Sequence, residues 1–279
     1  MKPLQPVIKW SGSKRPVAKQ LATYITYGET YFEPFLGGGA MMPYSQSKIG
    51  MASDIIPELI DLWNAIQTEP LIVAEEYKTR WSALQARGPE VYYDVRDSFN
   101  ATRNCYDFLF LTRTCVNGLI RYNTNGEFNN SFHLSRPGIN PDSLRKILEQ
   151  WSVAIAKFTF VLCDYRELLT RAKKGDFVFL DPPYGGTKDR YTRTPFNLNE
   201  FYLELDRLNS KGVKWMLTFD GEAGDRQYSY SPPPDLFIQK FSIHTGNSAF
   251  TKVMNSQKDS IQESVYLNFE SSHDLFGLF

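Results

Sequence analysis

The sequence predicts an α/β fold with a largely parallel sheet. Three observations carry that prediction. Short apolar strands alternate with helical patterns at both ends of the chain. Several of those strands stop abruptly at an acid, a glycine run or a proline pair. A long stretch with a helical pattern of its own separates the two alternating parts, as an inserted unit would.

The first strand reads Tyr31–Phe35 (YFEPF) and runs into Gly37, Gly38 and Gly39. The second, Met51–Ser53, ends at Asp54, and the helical pattern Ile55–Ile66 follows it. The third, Phe158–Cys163 (FTFVLC), ends at Asp164 and Tyr165. The fourth is Phe177–Leu180. Its unbroken apolar run suggests a strand buried on both faces. It ends at Asp181, because neither Pro182 nor Pro183 can donate to a ladder, and each pushes the preceding residue toward extended backbone. The helical pattern Asn199–Leu208 precedes a fifth strand, Val213–Phe219 (VKWMLTF). Leu236–Ile243 and Ser264–Phe269 read as two further strands joined by a long polar loop.

Roughly ninety residues separate the second and third strands, far more than a βα crossover needs. Helical patterns fill Leu71–Leu84 and Val91–Leu111, and VNGLIRYNTNGEFNNSF follows, with Asn125-Gly126 as the predicted hairpin turn. Helices of its own and an exposed polar tip suggest a second small domain carrying a recognition loop.

Composition narrows the function. The 279 residues, 42% hydrophobic, can bury one large core or two small ones. No apolar stretch approaches membrane-span length, and MKPLQPVIKW lacks the apolar region of a signal peptide. Cys105, Cys115 and Cys163 are odd in number and wrongly spaced for a disulfide framework or a structural zinc, and scattered histidines propose no metal. A reduced, soluble, cytoplasmic protein is the expectation. Lys plus Arg equals Asp plus Glu at 31 each, so net charge does not announce nucleic acid. From Asn100 to Gly175, however, eleven basic residues face six acidic ones. That local excess suits phosphate contact or a solvated basic face.

The chemistry-bearing residues gather at strand ends. Gly37–Gly39 allow a sharp turn and close approach to a ligand at the carboxyl edge of the sheet, or are simply loop. Their spacing is neither a dinucleotide fingerprint nor a phosphate-binding loop. Asp54 reads either as an acid for ribose hydroxyls or as a helix cap. Asp164 with Tyr165 reads either as an adenine contact or as a cap beside a core tyrosine. KWSGSK places Trp10, Gly12 and Lys14 in a turn-like segment ahead of a helical pattern.

KWSGSK, FEPFLGGGA, SD, a long insertion and DPPY, in that order, resemble the Dam family of DNA adenine-N6 methyltransferases. NGLIRYNTNGEFN resembles that family's DNA-reading hairpin segment, and GDFVFLDPPY and ESVYLNF also fit its pattern. The resemblance covers nearly the whole chain. It implies a Rossmann-like S-adenosylmethionine-dependent methyltransferase sheet, mostly parallel with an antiparallel C-terminal strand. It also implies a small, mainly helical DNA-recognition domain with a β-hairpin. The expected division is 1–67 and 158–279 for the catalytic and cofactor-binding domain, and 68–157 for the inserted domain.

By the same resemblance, Trp10, Lys14, Glu33, Phe35, Gly37 and Gly39 line the methionine side of S-adenosylmethionine. Asp54 takes its ribose, Asp164 and Tyr165 its adenine, and Asp181 borders it. Asn117, Leu119, Arg121 and Asn123 meet double-stranded DNA, with Leu119 and Arg121 facing a guanine at the start of GATC or a related short site. Lys188, Arg190 and Arg193, in GGTKDRYTRTPF, meet phosphates, and the polar segment His244–Lys258 tracks the backbone. The family's chemistry implies that the Asp181 carboxylate and the Pro182 carbonyl accept from the adenine amino group, that Pro183 stiffens the clamp, and that Tyr184 stacks on an extruded base. Val116 and Ser131 depart from the family pattern near the target's outer pairs. Thr218–Gly221 (TFDG) departs from it beside the clamp. A cytosine-N4 methyltransferase would more commonly begin the clamp with serine, and an inactive DNA-binding relic would not need Asp181, Tyr184 and Glu33 together. No metal is expected. Oligomeric state is not specified, and a monomer is compatible.

Overall fold

The computed structural model describes residues 3–135, 137–183, 196–223, 226–228, 231–247 and 260–271. An N-terminal strap leads to the short helix α1 (Ala18–Leu21) and then to β1 (Thr30–Glu33). Pro34 has no N–H to donate, so β1 stops two residues short of the expected Phe35. β2 (Ile49–Asp54) and α2 (Pro57–Thr68) follow. Four helices of the insertion come next: α3 (Pro70–Arg87), α4 (Glu90–Thr102), α5 (Cys105–Thr114) and α6 (Pro141–Ala154). The chain then returns through β3 (Phe158–Leu162), α7 (Tyr165–Thr170), β4 (Phe177–Leu180), α8 (Leu198–Ser210) and β5 (Lys214–Ala223). It closes with β6 (Arg226–Tyr228), β7 (Gln239–Asn247) and β8 (Ser260–Leu267).

The sheet order is β3-β2-β1-β4-β5-β8-β7, with β6 paired to β5. The first five strands pair in parallel, and β8 runs antiparallel between β5 and β7. This is the Rossmann-like sheet expected, mostly parallel with an antiparallel C-terminal strand. The order reverses between β1 and β4, and the carboxyl ends of strands beside such a reversal form a ligand crevice.

Alternating side chains along each strand feed two cores. Tyr31, Phe177 and Met216 face the side covered by α2 and the insertion, where Trp63, Tyr77, Phe110 and Leu148 are buried in the same cluster. Phe32, Val178 and Leu217 face the other side, against Leu168 of α7 and Phe201 and Leu205 of α8. All of β4 is buried, as its unbroken apolar run predicted.

The segment Val91–Leu111 is two helices, not one. Arg103 adopts a left-handed conformation (φ 57°), and Asn104 then caps α5 by accepting from the Tyr106 and Asp107 amides. Helix α6 was not anticipated. Asn140 caps it the same way, and Pro141 occupies its first turn. The hairpin turns where Asn125-Gly126 predicted, with Gly126 at φ 80° and the Asn123 amide donating to Glu127 at 2.9 Å. Its arms meet through two isolated bridges, Tyr122 to Phe128 and Cys115 to Phe132, rather than extended strands. Among the described residues, no helix is long and apolar enough to cross a membrane.

Candidate active site

The carboxyl ends of β1, β2, β3 and β4 carry Glu33, Asp54, Asp164 and Asp181 respectively. After β1 the backbone turns through Gly37 (φ 46°) and Gly39 (φ 62°). A Cβ on Gly37 would lie 2.5 Å from the Trp10 indole nitrogen, so only glycine fits beneath that ring. The Trp63 indole N–H donates to the Gly37 carbonyl at 3.2 Å, and the Gly37 amide donates to Asp54 at 3.1 Å. Asp54 also accepts from the Ile55 and Ile56 amides, so it ties the glycine turn to the start of α2. Burial raises its carboxyl to about 6, against the lowering effect of those amides.

Glu33 is buried (2% exposed) and accepts from the Tyr31 hydroxyl at 2.9 Å. Burial lifts it to about 8; the Tyr31 bond opposes that rise and the nearby Asp181 charge adds to it. At neutral pH, Glu33 is therefore largely a neutral acid while Asp181 beside it is an anion. Two neighbouring carboxyl groups whose environments set their titrations apart are the arrangement that acid–base chemistry uses.

Asp181 sits at the centre. Lys14 Nζ lies 2.8 Å from Asp181 Oδ1 and 2.6 Å from Glu263 Oε1 on β8. The lysine also donates to the Gly12 carbonyl at 3.3 Å. The Thr218 hydroxyl on β5 reaches the same Asp181 Oδ1 at 3.1 Å. Both polar partners of Asp181 among the described residues thus take one oxygen, and Oδ2 is left to accept. Burial raises the Asp181 carboxyl to about 6; Lys14 pulls it down and Glu263 pushes it up. Pro182 and Pro183 follow with no amide hydrogen to offer.

The Phe35 and Tyr165 rings stack at 5.0 Å between centroids, with Phe196 and Phe201 against both. Asp164 caps α7 by accepting from the Arg166 amide at 2.9 Å and also pairs with the Arg166 guanidinium at 2.7 Å. The capping reading of Asp164 is thus realised, and Tyr165 is 8% exposed within the aromatic cluster.

The remaining sequence-selected residues lie in the insertion. Asn117 is exposed and left-handed (φ 57°) in a one-turn 3₁₀ segment, Leu119 and Asn123 are half-buried, and Arg121 is exposed. The Arg121 guanidinium is steadied by Asn129, through its side-chain oxygen at 2.8 Å and its carbonyl at 3.2 Å. Asn123 fixes the hairpin turn by bonding Glu127 and the Asn125 amide. Among the described residues, contacts to the strap and to α2 anchor this loop. Gly118 packs so closely on Lys9 of the strap that a Cβ there would lie 2.3 Å away, and the Tyr122 hydroxyl donates to Glu58 of α2 at 2.7 Å. Tyr184, Lys188, Arg190 and Arg193 lie outside the described residues, as do 248–258 of the polar segment and the Asp220 side chain of TFDG.

Sequence reasoning missed the roles of Thr218 and Glu263. Both sit on strands far along the chain from DPPY. The available signal for Glu263 was a lone acid in the otherwise apolar alternation of ESVYLNF.

A reversed-order parallel sheet with a glycine turn after β1 and Asp-Pro-Pro after β4 defines a Rossmann-like methyltransferase. The family model described as D12 class N6 adenine-specific DNA methyltransferase matches residues 10–251. The chain belongs to that family and is an adenine-specific DNA methyltransferase. A DNA adenine methylase of Vibrio cholerae is 29% identical over 208 residues, covering 73% of this chain and 74% of its own. One of Haemophilus influenzae is 31% identical over 209 residues, covering 73% and 72%. A DNA N-6-adenine-methyltransferase of Escherichia phage P1 is 29% identical over 239 residues, covering 79% of this chain and 30% of its own.

Proposed function

We propose that this enzyme transfers the methyl group of S-adenosylmethionine to N6 of an adenine extruded from double-stranded DNA, at GATC or a related short site. The observation that carries the reading is Asp181, anchored through Oδ1 by Lys14 and Thr218 with Oδ2 left to accept.

The N6 lone pair of adenine is delocalised into the ring. An N6–H bond to Asp181 Oδ2 and another to the Pro182 carbonyl draw the nitrogen toward tetrahedral geometry and free that pair. Pro182 and Pro183 hold the backbone, so the acceptors are in place before the base arrives. Tyr184 stacks on the extruded base, because N6 cannot be reached inside the duplex.

The donor set suits the proposed cofactor. Gly37 lets the turn pass beneath the Trp10 ring, which it holds at the β1 end, Asp54 stands at the β2 end for ribose hydroxyls, and Phe35 and Tyr165 offer a ring face for an adenine. Trp10, Lys14, Glu33 and Gly39 border the methionine side, and Asp164 the adenine edge. When bound, S-adenosylmethionine supplies an electrophilic methyl on a sulfonium sulfur, which keeps the bond pair as the methyl leaves.

Residues 1–67 and 158–279 form the catalytic and cofactor-binding unit in this reading, and 68–157 the recognition unit. Arg121 reads a guanine edge, with Leu119 beside it. Asn117 assists extrusion or meets a phosphate, and Asn123 sets the hairpin. Lys188, Arg190 and Arg193 meet phosphates.

Labelled S-adenosylmethionine and two duplexes, GATC and scrambled, test the reading. N6-methyladenine in the GATC duplex alone is the expected result. Methyl in both moves the specificity to Val116 and Ser131. Methyl in neither, nor in mixed genomic DNA, overturns the proposal.

A further inference from the structure

Glu58 lies in the first turn of α2 and is 5% exposed. An acid suits a helix N-terminus, but a carboxylate this far from water needs polar partners as well. Two come from the insertion. The Tyr122 hydroxyl donates to Glu58 Oε1 at 2.7 Å, and Arg103 Nη1 lies 3.9 Å from the same oxygen. The Arg103 guanidinium stands over the Tyr122 and Phe99 rings, 5.3 and 5.2 Å from their centroids, and donates to the Gly126 carbonyl at the hairpin turn. Asn100 of α4 accepts from the Phe128 amide at 2.7 Å and donates to the Phe128 carbonyl at 3.1 Å.

The turn and the returning arm of the hairpin are thus held from α4 and the residue after it. Glu58 holds the outgoing arm, which carries Leu119, Arg121 and Asn123. Neighbours on an extended arm project to opposite sides. With the Tyr122 hydroxyl drawn toward α2, Arg121 beside it stands on the exposed side, where Asn129 steadies it.

We propose that Glu58 is a specificity-determining positioning residue: by anchoring Tyr122 from α2, it sets the rotation and depth at which the hairpin presents Arg121 to a base-pair edge. The inference rests on the reading of this hairpin as the element that meets the target. A bidentate contact tolerates little displacement, since both donors must reach their acceptors at once. A loosened arm keeps the attraction of the guanidinium for DNA and loses the geometry that tells bases apart. Discrimination therefore falls further than the rate on the best site.

The test measures kcat/KM in the full-length enzyme on a GATC duplex and on one altered at its first pair. The ratio of the two is the discrimination. Glu58→Ala removes the acceptor and should lower that ratio by about tenfold. Glu58→Gln keeps the shape with a neutral, weaker acceptor and should lower it by about threefold. Combined with Tyr122→Phe, Glu58→Ala should cost less than the product of the two single losses, as partners in one contact do. A merely structural Glu58 would lower Tm and slow both duplexes alike, with the ratio unmoved.

Should Glu58→Ala not fold, Glu58→Gln carries the test. A wild-type ratio in the folded variant overturns the inference. If Arg121→Ala lowers the ratio in that same assay, only the Glu58 role has failed. If Arg121→Ala keeps the wild-type ratio, the reading of the hairpin fails and takes the inference with it. Equal methylation of both duplexes by the wild-type enzyme has the same consequence.

Discussion

The Thr218 hydroxyl stands 3.1 Å from Asp181 Oδ1 and 3.3 Å from the Leu180 carbonyl oxygen, at the buried seam between β4 and β5. Its one proton serves one acceptor at a time, and donation to the carboxylate is the stronger choice. The first residue of TFDG thus contributes a donor to the clamp. Thr218→Val removes it without changing side-chain shape. A hydrogen bond to a charged group contributes about 1.5–3 kcal/mol, so kcat should fall by about tenfold or more. The lost bond lowered the Asp181 titration, so the acid limb of the pH profile should move up. Steady-state rates from pH 5 to 9 check both the fall in kcat and the moved limb.

Glu33 links pH to stability. Its carboxyl is raised from an ordinary 4.5 to about 8, chiefly by burial. Between those values the folded protein holds a proton that the unfolded chain has released. Stability from this group is therefore full at acid pH and lost as pH rises toward 8. Glu33→Gln keeps an acceptor for Tyr31 and removes the titration. The variant should match wild type near pH 4.5 and exceed it by about 4 kcal/mol at pH 8. Urea unfolding at the two pH values measures the gap. A gap independent of pH would contradict the assignment.

Gly37→Ala should damage cofactor binding. A left-handed alanine costs about 1–2 kcal/mol, and its Cβ would press on the Trp10 indole at 2.5 Å. Gly12→Ala is the control. Its φ of 79° brings backbone strain of the same kind, but no atom lies within 4 Å of the added Cβ. Calorimetric titration with S-adenosylmethionine should show at least about a tenfold larger loss for Gly37→Ala than for Gly12→Ala.

Arg121→Ala tests the recognition loop. Loss of a bidentate guanine contact costs about 1–3 kcal/mol of discrimination, so preference for GATC over a duplex altered at its first pair should drop by about tenfold to a hundredfold. Asn129→Ala removes the side-chain bond to the guanidinium and keeps the carbonyl one, and should give a smaller loss in the same direction. Competition methylation with the two duplexes reads the ratio directly.

The strand-end chemistry was legible because each feature is local. Three glycines, an acid after a short strand, or a proline pair each constrains its own backbone, and the sheet then aligns them. β4 was legible because a strand buried on both faces has no polar alternation to obscure it. The break between α4 and α5 was less so. The apolar pattern runs through Arg103 and Asn104, and only the capping ability of Asn104 marks the boundary. Thr218 as a partner of Asp181, and Glu263 as a partner of Lys14, were invisible, since contacts between β4, β5, β8 and the strap depend on strand order, which no single segment encodes. Asp54 and Asp164 show a different limit. Asp164 makes the capping bond of α7. Asp54 is not the cap of α2, which starts at Pro57 after Ile56, and binds the Ile55 and Ile56 amides ahead of it. In both, oxygen lone pairs are left that a ligand can use.

The central claim is that Asp181 accepts from the adenine amine, and the single-turnover methylation rate of Asp181→Asn tests it most directly. The substitution keeps the side-chain shape and removes the charge. The account predicts that the rate of N6-methyladenine formation falls by at least about a hundredfold while S-adenosylmethionine still binds. A rate equal to wild type would contradict it.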